Sequence, residues 1–544
     1  MRFFLKTMTL AVLALPCVAA ERFEISFSKE VSAAPLDGHV MLLISTDAPP
    51  EPRFRLSFTV KTAQAFGVDV DALAPGAPAV VDETTLGYPL DSLKDIPAGD
   101  YYVQGVFNIY ETFHLANGHA VKLPPDKGEG QHWQSKPGNL YTKTEKVHLD
   151  PASDQVIRLP LTEKVPDVPA AAPDTKWVKH VKIQSELLSR FWGQPVELGA
   201  VLLLPDGWEE HPKAHYPLIV YQSHFNRGLG IGFSTVPGPG YKFYQDWTAG
   251  RMPRVILMTI QHPTPYFDDS YAVNSANAGP YGDAITQELI PYVERTFRGI
   301  GQGWARAVYG GSTGGWEALA SQVFYPDFYN GAWVFCPDVV DFRAYMSMNL
   351  YDDTNAFWVE GPFAKVPRPA MRQPDGLVLS TMAQMNRFEL VQGTRGRSGE
   401  QLDAWQAYFS SVGEDGYPQP IFNKRTGVID HKVAEYWKEH YDLTHIIERD
   451  WKTLGPKLAG KLHVCVGDAD SFYLDHAVHL LHDFMETTTD PYYRGTFEFG
   501  QRKPHCYGGN FDPQVGLNQH YLPEMARHME ETAPKGADLS SWKY

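Results

Sequence analysis

Cysteine is scarce in this chain. Four occur in 544 residues, at positions 17, 336, 465 and 506. Cys17 falls in a leader-like N-terminal segment. Cys336, Cys465 and Cys506 remain, an odd set that leaves at least one thiol unpaired in a monomer and gives no disulfide framework. No C-x-x-C or H-E-x-x-H spacing is present, so no structural metal is expected and no cofactor is implied. Positive charge is also short: 48 Lys and Arg stand against 64 Asp and Glu, for a net charge of −16. Phosphate backbones are held by clustered Lys and Arg, so nucleic acid is excluded as a partner. Past the first segment no apolar run reaches the roughly 20 residues that a membrane-spanning helix needs. No internal repeat is evident.

The material that is present suits a soluble globular protein. Hydrophobic residues make up 43% and charged residues 21%, ordinary values for globular domains with a large core. The start, "MRFFLKTMTLAVLALPCVAA", places Arg2 and Lys6 before an apolar stretch and ends on Val18, Ala19 and Ala20. That pattern predicts a signal peptide over residues 1–20, cleaved after Ala20, and a secreted or periplasmic product with no membrane anchor. Pro16 before Cys17 argues against a lipidated cysteine.

Residues 162–176 are rich in Pro and Ala and read as a linker. Before it, residues 21–161 hold short runs of alternating or β-branched character: "RFEISF", "HVMLLIS", "FRLSFTV", "YYVQGVFNIY" and "QVIRLPL". Pro, Gly and Asp separate them, which predicts an all-β, sandwich-like domain. A long loop, "KLPPDKGEGQHWQSKPGNLY", interrupts these strands and brings Trp133 and Tyr141, candidates for contact with a ligand or with the rest of the chain.

Residues 177–544 change rhythm. Eight strand-like runs appear: "VKHVKI", "LGAVLLLP", "YPLIVYQS", "RVILMTI", "ARAVYGG", "GAWVFC", "KLHVCVG" and "GTFEFG". Helical patterns lie between several of them; over 282–297, Ile285, Leu289, Tyr292, Val293 and Phe297 share one face. Alternation of this kind predicts an α/β fold with a doubly wound, mostly parallel sheet. Between the sixth and seventh runs lie roughly 120 residues, far more than an ordinary crossover. The stretch over about 343–456 reads as a long, mostly helical, lid-like insertion at the sheet edge where such folds bind ligands.

Chemistry enters at Gly310-Gly311-Ser312-Thr313-Gly314, which satisfies G-x-S-x-G. The pattern has force only between a strand and a helix. Here "ARAVY" precedes it and "WEALASQVF" follows, so Ser312 is the candidate nucleophile; the competing reading is a strand–helix turn with a serine cap. A serine hydroxyl needs a base to take its proton. His505, after the eighth strand run, holds the base position, ahead of His479, His482 and His520. Asp470, after the seventh, is the candidate acid, with Asp468, Asp338 and Asp341 as alternatives. The oxyanion donors fall on the N–H of Thr313 and on the loop after "YPLIVYQS", at Phe225 or His224. His224 and Trp316 are candidate substrate-binding residues.

Four stretches, "YGGSTGGWEALA", "GPYGDAITQELIPYVERTFR", "GDADSFYLD" and "KPHCYGG", resemble the esterase group of the α/β-hydrolase superfamily that includes esterase-D-like and feruloyl-esterase-like proteins. The resemblance covers Trp177 to about Asn510. It implies a secreted serine esterase and maps the acid onto Asp470. A small-molecule or polysaccharide-linked ester is the expected partner. Two other functions fit the same pattern: a serine peptidase of the prolyl-oligopeptidase type, although the N-terminal region is too short for a propeller, and a catalytically silent hydrolase fold used for binding.

Overall fold

A computed structural model describes residues 21–512 and 514–544. The leader-like segment and its cleavage position lie outside the described residues.

The C-terminal part is built on one eight-stranded sheet. We number its strands β1 (Val178–Ser185), β2 (Val196–Leu203), β3 (Leu218–Gln222), β4 (Ile256–Gln261), β5 (Arg306–Gly311), β6 (Ala332–Phe335), β7 (Leu462–Gly467) and β8 (Thr496–Gly500). They lie in the order β1-β2-β4-β3-β5-β6-β7-β8. The first two join antiparallel, and the strands from β4 to β8 run parallel. All eight runs singled out in the sequence are strands. The central ones are fully buried because helices cover both faces: Leu218 and Val220 point into one core, Ile219 and Leu257 into the other. Residues 281–297 are helical, although Ala284–Leu289 winds as a wide π-turn.

The N-terminal part is two packed β-sheets. A three-stranded sheet pairs Arg22–Ser26 with Val156–Pro160 and Ala79–Val81. A larger one is centred on Leu36–Ser45 and Gly99–His114. Phe23, Ile25, Val40, Leu42, Ile44 and Phe107 fill the space between the sheets. The alternate residues of the same strand, Met41 and Leu43, are buried too, on the outer face, where Trp133, Phe388 and Val391 cover them. That strand is therefore apolar on both sides, unlike a half-solvated sandwich strand.

Two β-domain expectations are corrected. "FRLSFTV" is not a strand: a short 3₁₀ turn at Pro52–Phe54 leads into an irregular loop. Three prolines at 49, 50 and 52 remove ladder donors just before it, and Leu56 and Phe58 pack sideways on the insertion instead. The strand is the next segment, Gln64–Leu73. Glu163 and Lys164, at the head of the expected linker, add a two-residue strand to the β-domain.

The insertion between β6 and β7 holds four helices, which follow α1 (Thr313–Phe324) of the strand–turn–helix at Ser312: α2 (Met382–Leu390), α3 (Gln401–Phe409), α4 (His431–Tyr441) and α5 (Leu443–Leu458). The last two read as one run in sequence. Asp442 divides them: its carboxylate accepts from the N–H groups of His445 and Phe342 and from the Tyr351 hydroxyl, so it caps α5 and ties the break to the core. "NAFWVEGPFAKVPRPAMRQPDG" forms most of two β-hairpins rather than helix, pairing Trp358–Glu360 with Lys365–Pro367 and Pro369–Arg372 with Val378–Thr381.

Candidate active site

Strand β5 ends at Gly311, and α1 begins at Thr313. Ser312, between them, has φ 59° and ψ −124°, a strained backbone that a side chain rarely adopts. Its own groups hold the turn: the Ser312 N–H donates to the Phe335 carbonyl at 3.0 Å, and its carbonyl accepts from Gly315 at 2.9 Å. The helix can approach this closely only because Gly314 lacks a side chain. A Cβ there would stand 2.1 Å from the Gln222 carbonyl oxygen at the end of β3. The serine hydroxyl thus projects at the carboxyl edge of the sheet.

Three residues separated widely in sequence meet at that edge. His505 Nε2 lies 2.8 Å from Ser312 Oγ, and His505 Nδ1 lies 2.7 Å from Asp470 Oδ2. Asp470 is fully buried after β7, and its other oxygen accepts from the N–H groups of Phe472 and Leu474. Burial opposes charge on His505, but the hydrogen bond and charge of Asp470, helped by Cys506, outweigh it and raise the imidazole pKa. The geometry brings the candidate nucleophile, base and orienting acid into contact.

The alternative acids are occupied elsewhere. Asp468 accepts from the Arg502 N–H. Asp341 pairs with Arg343 at 2.7 Å. Asp338 Oδ2 accepts from Tyr271 OH at 2.6 Å, Thr313 Oγ1 at 2.9 Å and Gln401 Nε2 at 3.1 Å. It therefore links the first residue of α1 to the insertion. Trp405 donates its indole N–H to Tyr271 OH at 2.6 Å. Tyr271 and Gln401 were not singled out in the sequence; they sit in segments without motif or fixed spacing to Ser312. His479 and His482 lie on the helix Asp475–Thr487, the first stacked on Phe499 and the second edge-on to it. His520 stacks on Phe511.

Thr313 is the first residue of α1, so its N–H has no partner within the helix and faces the serine end. Phe225 and His224 follow β3 and border a cavity of about 700 Å³ that also holds Ser312 and His505. His224 Nδ1 lies 3.1 Å from Asp268 and 3.0 Å from Asp269. Burial works against its charge, yet these two carboxylates carry its pKa well above the ordinary value. Trp316 is corrected: it is fully buried on α1. Its ring packs on Phe409 at 4.9 Å and Tyr271 at 5.4 Å. As the fourth residue after Ser312 it turns to the inner face of the helix, away from the cavity.

The three remaining cysteines are free. Cys336 and Cys465 are neighbours through backbone pairing, Cys336 N–H to Cys465 carbonyl at 2.7 Å. Cys336 instead shares a cluster with Cys506 and His505, with ligand atoms within 4.8 Å of one another.

Residues 195–414 match the family described as "Esterase: Putative esterase". No curated protein matches the chain. Among solved structures, a ferulic acid esterase is similar at 14% identity, over 65% of this chain and 99% of that one, with a TM-score of 0.35. An S-formylglutathione hydrolase from Agrobacterium tumefaciens is similar at 14% identity, over 66% and 97%, with a TM-score of 0.35. FphF, a fluorophosphonate-binding serine hydrolase of Staphylococcus aureus, is similar at 14% identity, over 65% and 98%, with a TM-score of 0.32. The sheet order, the strand–turn–helix at Ser312 and the match over residues 195–414 agree on an α/β-hydrolase fold whose matched part is esterase-like.

Proposed function

We propose that this protein hydrolyses carboxylic esters through an acyl-enzyme on Ser312. The observation that carries the reading is the unbroken contact from Ser312 Oγ through His505 to Asp470, at 2.8 and 2.7 Å. Ser312 Oγ attacks the ester carbonyl while His505 Nε2 takes its proton. Asp470 holds the ring in the tautomer that presents a bare Nε2 and balances the imidazolium that forms. The peptide N–H groups of Thr313 and Phe225 are assigned to the oxyanion. His505 then returns the proton to the departing alcohol. Water, deprotonated by the same imidazole, cleaves the acyl-enzyme and frees the acid. No cofactor is needed in this cycle.

The N-terminal sequence supports export, with cleavage after Ala20. The substrate is then an extracellular or periplasmic ester, free or attached to polysaccharide. N-terminal sequencing of protein recovered from the periplasm or medium tests export.

The catalytic reading is tested with the mature protein and its Ser312→Ala variant. Fluorophosphonate labelling and turnover of short aryl esters are expected in the first and absent in the second. A folded Ser312→Ala variant that still labels or turns over would move the nucleophile elsewhere.

A further inference from the structure

The β-domain reaches the catalytic cavity at two places. The first is Phe58, in the loop after Pro52–Phe54. Its ring stands edge-on to Phe472 with 6.3 Å between centroids, and Phe472 stands edge-on to His505 at 5.2 Å. Phe58 also meets Phe388 of α2 at 5.7 Å. A single ring therefore separates the β-domain from the base. The loop is pinned: Ser57 N–H donates to Thr62 Oγ1 at 2.9 Å, and Tyr88 OH donates to the Ser57 carbonyl at 3.1 Å.

The second is the segment 130–134. Gly130 has φ 77°, and a Cβ built on it would lie 3.1 Å from both the Phe225 ring and Asp268 Cβ. Trp133 is buried and donates its indole N–H to Gln392 of the insertion at 2.8 Å. Gln131, His132 and Gln134 border the cavity. The β-domain thus encloses the site from the loop bearing Phe225 round to His505.

The chemistry of that enclosure is uneven. Aromatic rings dominate it, and Asp268, Asp338, Glu389 and Glu400 are among its lining residues, with no lysine or arginine. His224, a lining imidazole driven toward charge, is already paired with Asp268 and Asp269, so an anion stripped of water beside such walls finds no free cation. A cavity of about 700 Å³ also exceeds what a small ester fills. The side on which Phe58 stands matters. His505 must protonate the leaving oxygen, so the alcohol lies on the His505 side of Ser312, where Phe472 and Phe58 are.

We propose that the β-domain is part of the substrate site: Phe58, with Phe472 and Phe388, forms the subsite for a bulky, apolar, uncharged alcohol. The proposal rests on the reading of Ser312 as an esterase nucleophile and adds the class of alcohol that this nucleophile releases.

Three acetates test it: ethyl acetate, octyl acetate and 8-acetoxyoctanoate, which has the octyl chain length but ends in a carboxylate. All pass through the same acetyl-enzyme, so differences in kcat/KM report the alcohol alone. Octyl acetate is expected to exceed 8-acetoxyoctanoate by at least about tenfold. In Phe58→Ala, kcat/KM for octyl acetate is expected to fall about five- to tenfold, with most of the change in KM, and ethyl acetate to stay within about twofold. Phe58→Leu is expected to recover part of the loss. Equal losses for both neutral esters, no change in either, or equal use of the anionic ester would overturn the proposal. A failure of the Ser312 reading shows separately, as absent fluorophosphonate labelling. Calorimetric binding of 1-octanol to Ser312→Ala, with and without Phe58→Ala, then decides the subsite without turnover: weaker binding in the double variant supports it, equal binding refutes it.

Discussion

His39 in the β-domain places Nε2 2.8 Å from the Val391 carbonyl oxygen in the insertion, while its Nδ1 lies 2.7 Å from Asp69. Asp69 in turn receives Arg397 at 3.0 Å and the Thr394 hydroxyl. A buried imidazole thus carries a hydrogen-bond chain across the boundary between the domain and the insertion that roofs the site. Removing His39 leaves a buried carbonyl and a carboxylate short of partners, a change worth about 1–3 kcal/mol. We expect His39→Ala to lower the unfolding free energy measured in urea by that amount and to reduce ester turnover. Asp69 adds a pH dependence. Burial raises its pKa, but His39 and Arg397 outweigh burial and hold it below the ordinary carboxylate value. Its contribution is complete above the unfolded pKa near ~4 and drains as pH falls through the lower folded value. Wild type should therefore lose stability between about pH 4 and pH 2 more steeply than Asp69→Asn. Parallel acid denaturation curves would refute this.

Asp470 separates the orienting role from the nucleophilic one. Asp470→Asn preserves shape but offers Nδ1 the wrong partner, so the ring can settle in the tautomer that points a proton at Ser312. The expected loss in kcat is on the order of 10³- to 10⁴-fold. Asp338→Asn, whose residue touches Thr313 and Tyr271 but not His505, should cost far less. Steady-state kinetics of the two variants on one ester compare them directly. A larger loss at Asp338 would reassign the acid.

The sheet was legible because its central strands are buried on both faces and read as near-continuous apolar runs, and its edge strands, Val178–Ser185 and Thr496–Gly500, as alternating ones. Ser312, Asp470 and His505 were legible because each follows such a run, so locating the strand locates the residue. The substrate cavity was not. Phe58, Gly130 and Gln401 come from loops and helix starts whose meeting depends on how the β-domain and insertion fold back over the sheet. Phe58 was hidden twice over, since "FRLSFTV" has strand composition and only the prolines before it oppose pairing. Trp316 misled for a simpler reason: nearness in sequence to Ser312 says nothing about which side of α1 it faces, and its spacing puts it in the core.

The nucleophile turn gives a paired test of close approach. Gly314 has no room for a methyl group, with the Gln222 carbonyl oxygen 2.1 Å from the position a Cβ would take. Gly311, three residues earlier in the same motif, has its nearest neighbour at 3.7 Å. Overpacking of this kind costs about 1–3 kcal/mol and shifts backbone. We expect Gly314→Ala to lower Tm and to abolish fluorophosphonate labelling, because the shift falls on α1 and Ser312. Gly311→Ala should keep both Tm and labelling near wild type. If the two behaved alike, the turn would not be set by the contact with β3.

The last prediction concerns the thiol beside the base. Cys506 follows His505 and has φ 65°, and its Sγ belongs to the cluster that contains Cys336 and His505. Contact with Cys336 lowers the Cys506 pKa first, and His505 lowers it further; burial acts the other way. A thiolate there stabilises the imidazolium and so adds to the upward shift that Asp470 imposes on His505. The free-enzyme base must be neutral to accept the Ser312 proton, and the acid limb of kcat/KM reports when it becomes so. That limb should lie above the ordinary imidazole value of about 6.5. In Cys506→Ser the added negative charge is gone and the imidazolium is less favoured. Less alkali is then needed to free Nε2, so the limb moves to lower pH and activity near pH 6 rises relative to the plateau. In Cys336→Ala the thiolate loses the donor that most favours it, and the limb should move the same way by a smaller step. An unchanged limb in Cys506→Ser would mean that Cys506 carries no charge while His505 titrates, and that Asp470 alone sets the base.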